Sequence, residues 1–109
     1  MASHKLLVLS NPVEGREDEY NEWYNNVHLG EMCQLPSVIS AQRFELAAGL
    51  PGNDSAWKYL AIYEISNEDP SAVLGELGKG LATMNMSSSF DGKGAAGWVF
   101  SPVSDVVTG

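Results

Sequence analysis

The sequence has 109 residues, of which 44% are hydrophobic and 18% are charged. This length and balance are typical of a globular domain, so we expect residues 1–109 to fold as a single domain. Fourteen acidic residues against six basic ones give a formal net charge of −8. Because that charge repels phosphate backbones and anionic lipid surfaces, we expect no nucleic-acid and no membrane partner.

The cysteine content and the first residues indicate a cellular compartment. The single cysteine, Cys33, cannot form an internal disulfide, and we interpret it as a small apolar residue. The first ten residues contain one lysine and a four-residue apolar run, which is too short for the core of a signal peptide. We therefore expect a cytoplasmic protein.

The first part of the chain contains a predicted strand and a predicted helix. The strand covers residues 5–10, KLLVLS, and ends at an Asn-Pro turn. The helix covers residues 16–28, and Gly30 is its predicted end. Its apolar and aromatic residues follow the i, i+3, i+4, i+7 spacing of one helical face. They are Tyr20, Trp23, Tyr24 and Val27.

Two strands and a second helix follow. Strands are predicted over residues 37–46 and 56–65, and the second shows the clearer alternation. The second helix is predicted within residues 66–84, with Asp69 as its N-cap and Pro70 at its first position. Three glycines inside this helix weaken it by about 1 kcal/mol each.

A last strand over residues 95–103 completes the order β-α-β-β-α-β. That order predicts an α+β, ferredoxin-like fold, in which a four-stranded antiparallel sheet carries both helices on one face. The strand residues are apolar on both faces of the predicted sheet. A second copy of the sheet is the simplest cover for the open face, so we expect a twofold homodimer.

His28 belongs to the inward face of the first helix, because it lies four residues after Tyr24 and eight after Tyr20. Glu31 follows three residues later. Since imidazole exchanges protons near neutral pH, His28 could act as a general acid or base, with Glu31 orienting it or sharing its proton. The alternative is a helix-terminal histidine that only complements the last carbonyl groups.

Arg43 stands in the middle of a predicted strand, where its cation needs a carboxylate or an anionic ligand. It either pairs with Glu45 or Glu64 at a sheet edge, or it holds an anionic or enolate oxygen of a substrate. The two histidines do not form a cluster with metal-ligand spacing, so we expect no metal. Tyrosines on the strands are either packing residues or part of a cavity wall.

Residues 11–46, NPVEGREDEYNEWYNNVHLGEMCQLPSVISAQRFEL, followed by YLAIYEI at 59–65, resemble the dimeric α+β barrel superfamily. The similarity is closest to the EthD-like branch and to related uncharacterised bacterial proteins, and it extends to about residue 83. Its specific part is an acidic loop, an aromatic WY pair, a histidine four residues after that tyrosine, an acid, a proline turn and a strand with AQRF. Related sequences often carry WYD and HxPE, where this chain has Asn25 and Gly30.

The resemblance implies a homodimer of ferredoxin-like units with a cavity between the sheet and the helices. It also implies an enzyme that isomerises, dehydrates, cyclises or oxidises an apolar or aromatic small molecule, without a metal or organic cofactor. On this hypothesis the catalytic residues are His28, Glu31 and Arg43. The substrate-binding residues are Tyr20, Trp23, Tyr24, Tyr59 and Tyr63.

Two other functions are compatible with the sequence. One is a non-catalytic dimeric protein that binds a hydrophobic metabolite, in which His28 only caps the helix. The other is a haem-binding relative, in which His28 is the axial ligand.

Overall fold

The computed structural model describes residues 3–109. Over these residues the chain forms four strands and two helices, and the first helix consists of three consecutive segments. In chain order the elements are β1 (Ser3–Ser10), α1 (Glu17–Trp23), a π-helical segment (Tyr24–His28), α2 (Leu29–Met32), β2 (Val38–Glu45), β3 (Tyr59–Ser66), α3 (Ala72–Leu81) and β4 (Ala96–Phe100).

The strands form one antiparallel sheet in the order β2-β3-β1-β4. This is the ferredoxin-like α+β arrangement, so the predicted fold class is confirmed. Alternate residues of each strand face the helices. Leu6, for example, lies opposite Tyr63 on one side and Val99 on the other. Within residues 3–109, no helix has the length and apolar character needed to cross a membrane.

The first helix is longer than predicted, because Gly30 does not end it. Backbone bonding continues past Gly30, and the Cys33 N–H donates to the Leu29 carbonyl at 3.0 Å. The helix instead ends in a tight turn before Pro36, in which the Leu35 N–H donates to the Met32 carbonyl. Proline restricts the residue before it to extended conformations, so the helix cannot run through this point.

Several other boundaries move inward from their predicted positions, whereas β1 begins earlier than predicted, at Ser3, and β3 ends one residue later than predicted, at Ser66. Helix α3 begins at Ala72 because the Asp69 carboxylate accepts from the Ser71 N–H and hydroxyl, which forms a turn before the helix. Strand β3 begins at Tyr59 rather than at residue 56. Strand β4 ends at Phe100, two residues before Pro102, which has no N–H to donate to a sheet.

The core lies between the helix-facing side of the sheet and the two helices. Tyrosines contribute much of its volume, since Tyr20, Tyr24 and Tyr63 are almost completely buried. Aliphatic side chains fill the remaining space, and those at 2% exposure or less include Leu6, Met32, Ile65 and Val73. A core with three buried phenols must also satisfy three hydroxyl groups.

The outer side of the sheet carries apolar side chains that no element covers. Phe44, Trp98 and Phe100 are 40%, 49% and 54% exposed. Leu7 lies between Ile62 and Trp98 on this side and is half-buried. The same side carries the Lys5–Glu64 ion pair, and exposed apolar side chains grouped on a sheet face are typical of a surface that binds another protein.

Candidate functional site

His28 is buried inside the aromatic cluster on the first helix. Its ring stacks on Trp23 at 4.7 Å between centroids and meets Tyr24 edge-on at 5.0 Å. Only 5% of the residue is exposed, and Nδ1 has no hydrogen-bond partner among the described residues. Burial lowers the pKa of His28 to about 4, and the nearby Glu31 carboxylate offsets only part of this effect. The imidazole is therefore neutral at pH 7.

Glu31 bonds to the backbone of the segment that follows α3. Its two carboxylate oxygens accept from the Asn85 N–H at 3.2 and 3.0 Å. The Trp23 indole N–H donates to the Asn85 carbonyl at 2.7 Å. Together these bonds hold the segment after α3 against the first helix, and Phe90 from the same region packs on Trp23. This segment is therefore fixed beside Trp23, whose ring stacks on His28.

Arg43 lies on the helix-facing side of β2, opposite Ala61. The predicted ion pair with Glu45 or Glu64 is wrong. Glu64 lies on the outer side of the sheet and pairs with Lys5, because successive residues of a strand face opposite sides. The guanidinium instead donates to the side-chain oxygens of Asn25 at 2.7 Å and Asn21 at 2.8 Å.

The Arg43 cation also rests on tyrosine rings. Its Cζ atom is 4.3 Å from the ring centroid of Tyr24, 5.0 Å from that of Tyr59 and 5.2 Å from that of Tyr20. None of the ion pairs found between residues 3 and 109 involves Arg43, and its buried Nε has no hydrogen-bond partner there. Aromatic faces and amide oxygens attract a cation, but they carry no net charge to neutralise it.

The buried tyrosine hydroxyls bond to one another and to the sheet. Tyr20 shares a hydrogen bond of 2.6 Å with Ser10, and Tyr24 shares one of 3.3 Å with Tyr63. Burial raises the pKa of Tyr24 to about 12 and raises the pKa of Tyr63 further still. Both phenols therefore stay protonated at neutral pH.

A polar stripe on the first helix was missed by sequence reasoning. Glu17, Asn21 and Asn25 recur every four residues, so they share one helical face beside the aromatic stripe. Asn21 donates to the Tyr59 hydroxyl at 3.1 Å, and that hydroxyl donates to Glu17. Hydrogen bonds from Lys58 and Tyr59 lower the pKa of Glu17. The spacing of these residues was the signal that could have revealed the stripe.

An open cavity of about 340 Å³ lies where this stripe meets the β2 edge of the sheet. Its walls are Asn21, Asn25, Arg43, Phe44, Glu45 and Tyr59. Of the predicted site residues, Arg43 and Tyr59 line the cavity, and the Tyr20 and Tyr24 rings contact Arg43. His28, Glu31 and Trp23 lie on the far side of Tyr24 and do not line this cavity.

Two further expectations concern metals and Cys33. Among the residues from Ser3 to Gly109, no group of three or more His, Cys, Asp and Glu side chains is arranged to hold a metal ion. Cys33, interpreted from the sequence as a small apolar residue, is exposed at the end of the first helix and does not contribute to the core. It follows the buried Met32, and one helical step rotates it toward solvent.

Topology and element order define the class of this protein: the chain has a ferredoxin-like α+β fold, which it shares with an EthD family protein and a dimeric ferredoxin-like protein of known structure. No family model and no curated protein matches the sequence, so the comparison rests on solved structures. At 10–14% identity these similarities concern the fold alone.

Three of the similar structures cover nearly the whole chain. An ethyl tert-butyl ether D (EthD) family protein from Bacillus halodurans C-125 is 14% identical, with a TM-score of 0.59 over 94% of this chain and 99% of that one. A dimeric ferredoxin-like protein of unknown function from Thermobifida fusca YX is 10% identical, with a TM-score of 0.55 over 93% and 92%. A protein from Arabidopsis thaliana is also 10% identical, with a TM-score of 0.68 over 95% and 99%.

Proposed function

We propose that this protein binds an apolar or aromatic small molecule through an anionic or enolate oxygen held by Arg43, and catalyses its conversion without a metal or organic cofactor. The reaction type is an isomerisation, dehydration, cyclisation or oxygenation. One observation carries the proposal: the Arg43 cation has no carboxylate partner among the described residues and lines an open cavity. A partly buried cation without a counter-ion favours an anionic ligand.

The composition of the cavity wall supports the aromatic part of this proposal. The Tyr59 ring offers apolar surface beside Arg43, and a volume of about 340 Å³ is at the lower end of the range for small-molecule sites. Glu45 in the same wall disfavours a ligand with several negative charges but can accept a hydroxyl proton. These features favour a ring system with one anionic oxygen.

The residue at position 25, an asparagine, leaves the charge of Arg43 free to bind an anionic ligand. The resemblance to EthD-like sequences implies an aspartate at this position, and an aspartate there would form an ion pair with Arg43. The neutral Asn25 side chain accepts one hydrogen bond from the guanidinium at 2.7 Å and leaves its charge in place. In this chain, the ligand supplies the negative charge.

In the proposed reaction, His28 accepts a proton from the bound molecule. Its neutral imidazole and the unpartnered Nδ1 support the role of a base, and the Glu31 carboxylate stabilises the protonated form. The Tyr24 ring contacts both His28 and the Arg43 cation, so the proposal requires this ring to move when a ligand enters.

A second candidate is a non-catalytic protein that carries a hydrophobic metabolite. The closed position of His28 favours it, since His28 and Glu31 do not line the cavity at Arg43. In this case Arg43 and the tyrosines bind the ligand, and His28 only packs on Trp23.

The residues do not fit haem. An axial histidine must present a ring nitrogen to an open slot, whereas the His28 ring is enclosed by Trp23 and Tyr24 and is 5% exposed. We therefore assign no step to haem.

We also propose that two copies of the chain pair through their outer sheet faces. The exposed Phe44, Trp98 and Phe100 support this arrangement, because a twofold axis can bring identical apolar surfaces together.

Calorimetric titration with 2-naphthoate tests the binding step. We expect wild-type protein to bind 2-naphthoate at least about tenfold more tightly than the uncharged 2-naphthylmethanol, because a hydrogen bond to a charged group contributes about 1.5–3 kcal/mol. Arg43→Gln should abolish this preference. Arg16→Gln is the matched control, since Arg16 is already paired with Glu19. Equal affinity for both compounds, or an equal loss in both variants, would contradict the proposal.

Proton exchange tests the catalytic step separately from binding. The probe is 2-tetralone in deuterated buffer, and NMR follows exchange at the carbon beside its carbonyl group. We expect wild-type protein to accelerate exchange and His28→Phe to lose at least about 100-fold of the acceleration while it still binds 2-naphthoate. Binding without any exchange in wild-type protein would favour the carrier.

A further inference from the structure

A chain of hydrogen bonds leads from the protein surface to the Arg43 cation. The Lys58 ammonium group donates to the Glu17 carboxylate at 2.5 Å, and the Tyr59 hydroxyl donates to the same carboxylate oxygen. The side-chain amide of Asn21 then joins the Tyr59 hydroxyl, at 3.1 Å, to the Arg43 guanidinium, at 2.8 Å. Asn21, Tyr59 and Arg43 line the cavity of about 340 Å³. They lie on the first helix and on the helix-facing side of the sheet, so pairing through the outer sheet faces does not cover them.

The chemistry of its two ends fixes the direction of every hydrogen bond in this chain. A guanidinium group can only donate, so the Asn21 oxygen faces Arg43 and the Asn21 nitrogen faces Tyr59. An amide nitrogen can only donate, so the Tyr59 oxygen accepts from Asn21. At the other end, hydrogen bonds from Lys58 and Tyr59 lower the pKa of Glu17, and its ionised carboxylate can only accept. The Tyr59 proton therefore points to Glu17.

The Tyr59 hydroxyl consequently has no proton to offer a ligand. Burial raises the pKa of Tyr59, so the phenol keeps its proton at neutral pH, and that proton is held by Glu17. What the Tyr59 oxygen can still present to a ligand is a lone pair. A ligand hydroxyl can donate to this lone pair, whereas an ether or carbonyl oxygen at the same place leaves two acceptors facing each other. Because Tyr59 is only 6% exposed, water supplies little compensation for that mismatch.

The spacing between Tyr59 and Arg43 restricts where a ligand carries its hydroxyl. The two groups bond to opposite ends of a single carboxamide, that of Asn21, so only a short distance separates them. Two substituents in the meta relation on an aromatic ring have a comparable separation. A hydroxyl adjacent to a carboxylate would instead bond to that carboxylate within the ligand, and its proton would not be free for Tyr59.

We propose that the Arg43 site selects aromatic anions that carry a hydroxyl group meta to the anionic group, with the anionic oxygen on Arg43 and the hydroxyl donating to the Tyr59 oxygen. This inference rests on the function proposed above and adds the second polar group of the ligand. Tyr59 determines the specificity by direct contact. Glu17 is a positioning residue, because it binds the Tyr59 proton and so leaves only the lone pair for the ligand.

Calorimetric titration with 4-hydroxy-2-naphthoate and 4-methoxy-2-naphthoate tests the selection. We expect wild-type protein to bind the hydroxy compound at least about threefold more tightly, since it forms one more hydrogen bond between uncharged groups. Tyr59→Phe should remove this preference and still bind 2-naphthoate, because Arg43 is retained. A preference that came only from the larger size of the methoxy group would persist in Tyr59→Phe, and that result would overturn the proposal.

Glu17→Ala tests the positioning role. Without the carboxylate, the Tyr59 proton is free to rotate toward the cavity, where a methoxy oxygen can accept it. The variant should therefore bind 4-methoxy-2-naphthoate at least about twofold more tightly than wild-type protein does, and it should lose most of the preference for the hydroxy compound. Glu19→Ala is the matched control, since Glu19 is an exposed residue of the same helix and pairs with Arg16. It should keep the wild-type preference, and an equal change in both variants would contradict the role of Glu17.

The outcomes separate this proposal from the function proposed for Arg43. Binding of 2-naphthoate that depends on Arg43, with equal affinities for the hydroxy and methoxy compounds, overturns the hydroxyl selection and leaves the anion site intact. No binding of any of the three compounds overturns both. Thermal unfolding shows whether each variant folds. If Tyr59→Phe does not fold, the gain or absence of methoxy affinity in Glu17→Ala decides the question.

Discussion

At the residue scale, the central feature is a histidine that is buried without a charged partner in direct contact. The helical spacing of His28 relative to Tyr20 and Tyr24 was enough to predict its inward position. The spacing could not show that Trp23 and Glu31 bond to the backbone of Asn85, because these contacts join residues 62 and 54 positions apart. Long-range contacts of this kind leave no periodic signal in one sequence.

Burial of His28 predicts a specific dependence of stability on pH. Its pKa is about 4 in the folded protein and near 6.5 when unfolded. The unfolded state therefore binds more protons between these values, and the free energy of unfolding falls as the pH drops from about 6.5 to 4. The full loss is roughly 3 kcal/mol.

Urea unfolding of wild-type protein and His28→Phe at several pH values measures this effect. The variant should lose less stability than the wild type between pH 6.5 and 4, because phenylalanine fills the same aromatic site without titrating. Both proteins contain the same carboxyl groups, so the effect of carboxyl titration on the free energy of unfolding cancels when the two pH curves are subtracted. Parallel pH curves for the two proteins would contradict a buried neutral histidine.

The tyrosine pair at the centre of the core gives a second residue-scale prediction. Tyr63→Phe leaves the buried Tyr24 hydroxyl without its partner, so we expect a loss of about 1–2 kcal/mol in the free energy of unfolding. Tyr24→Phe should cost a similar amount. The double variant should cost less than the sum, since no hydroxyl is then left unpaired. Strict additivity in urea denaturation would show that the hydrogen bond contributes nothing.

At the element scale, the sequence predicted every strand and helix but not their ends. Gly30 was predicted to stop the first helix because glycine often does so, yet its hydrogen-bonded backbone continues to Met32. A π-helical turn over Tyr24–His28 was also missed. The Leu29 N–H bonds to the Tyr24 carbonyl there, five residues back. The turn contains the buried residues Tyr24 and His28, and π turns are frequent at functional sites.

Helix α3 contains three glycines, so we expect its attachment to the sheet to depend on Glu76. Its carboxylate accepts both the backbone N–H and the hydroxyl of the buried Ser37, just before β2. Glu76→Ala should lower the free energy of unfolding by about 2–3 kcal/mol, because these donors lose a charged partner. Lys79→Ala, at an exposed position of the same helix, should change it by less than about 0.5 kcal/mol. Equal effects of the two variants in urea denaturation would rule out this role for Glu76.

At the scale of the whole molecule, the element order was sufficient to predict the ferredoxin-like sheet. Strand alternation also predicted that both sheet faces are apolar. The hydrogen-bond partners of Arg43 were not predictable. Asn21 and Asn25 lie on a helix, and the packed tyrosines set the rotation of that helix against β2. A single sequence therefore indicated the elements, and packing decided which polar groups meet.

The apolar outer face gives a prediction about assembly. We expect wild-type protein to be a dimer by light scattering and Trp98→Glu to be a monomer, since Trp98 is 49% exposed on that face and a buried unpaired charge strongly disfavours association. Leu74→Glu is the control: it places the same charge on a 51% exposed leucine of α3 and should leave the dimer intact. A monomeric wild-type protein, or loss of the dimer in both variants, would contradict pairing through the sheet.

The central claim is that Arg43 holds the anionic oxygen of an aromatic ligand. The most direct test is NMR observation of the Arg43 side-chain Nε–H, assigned by its absence in Arg43→Gln, during titration with 2-naphthoate. We predict that this resonance shifts and saturates at the affinity measured by calorimetry, and that 2-naphthylmethanol does not reproduce the shift. Saturable binding of 2-naphthoate that leaves the Arg43 resonance unmoved would contradict the account.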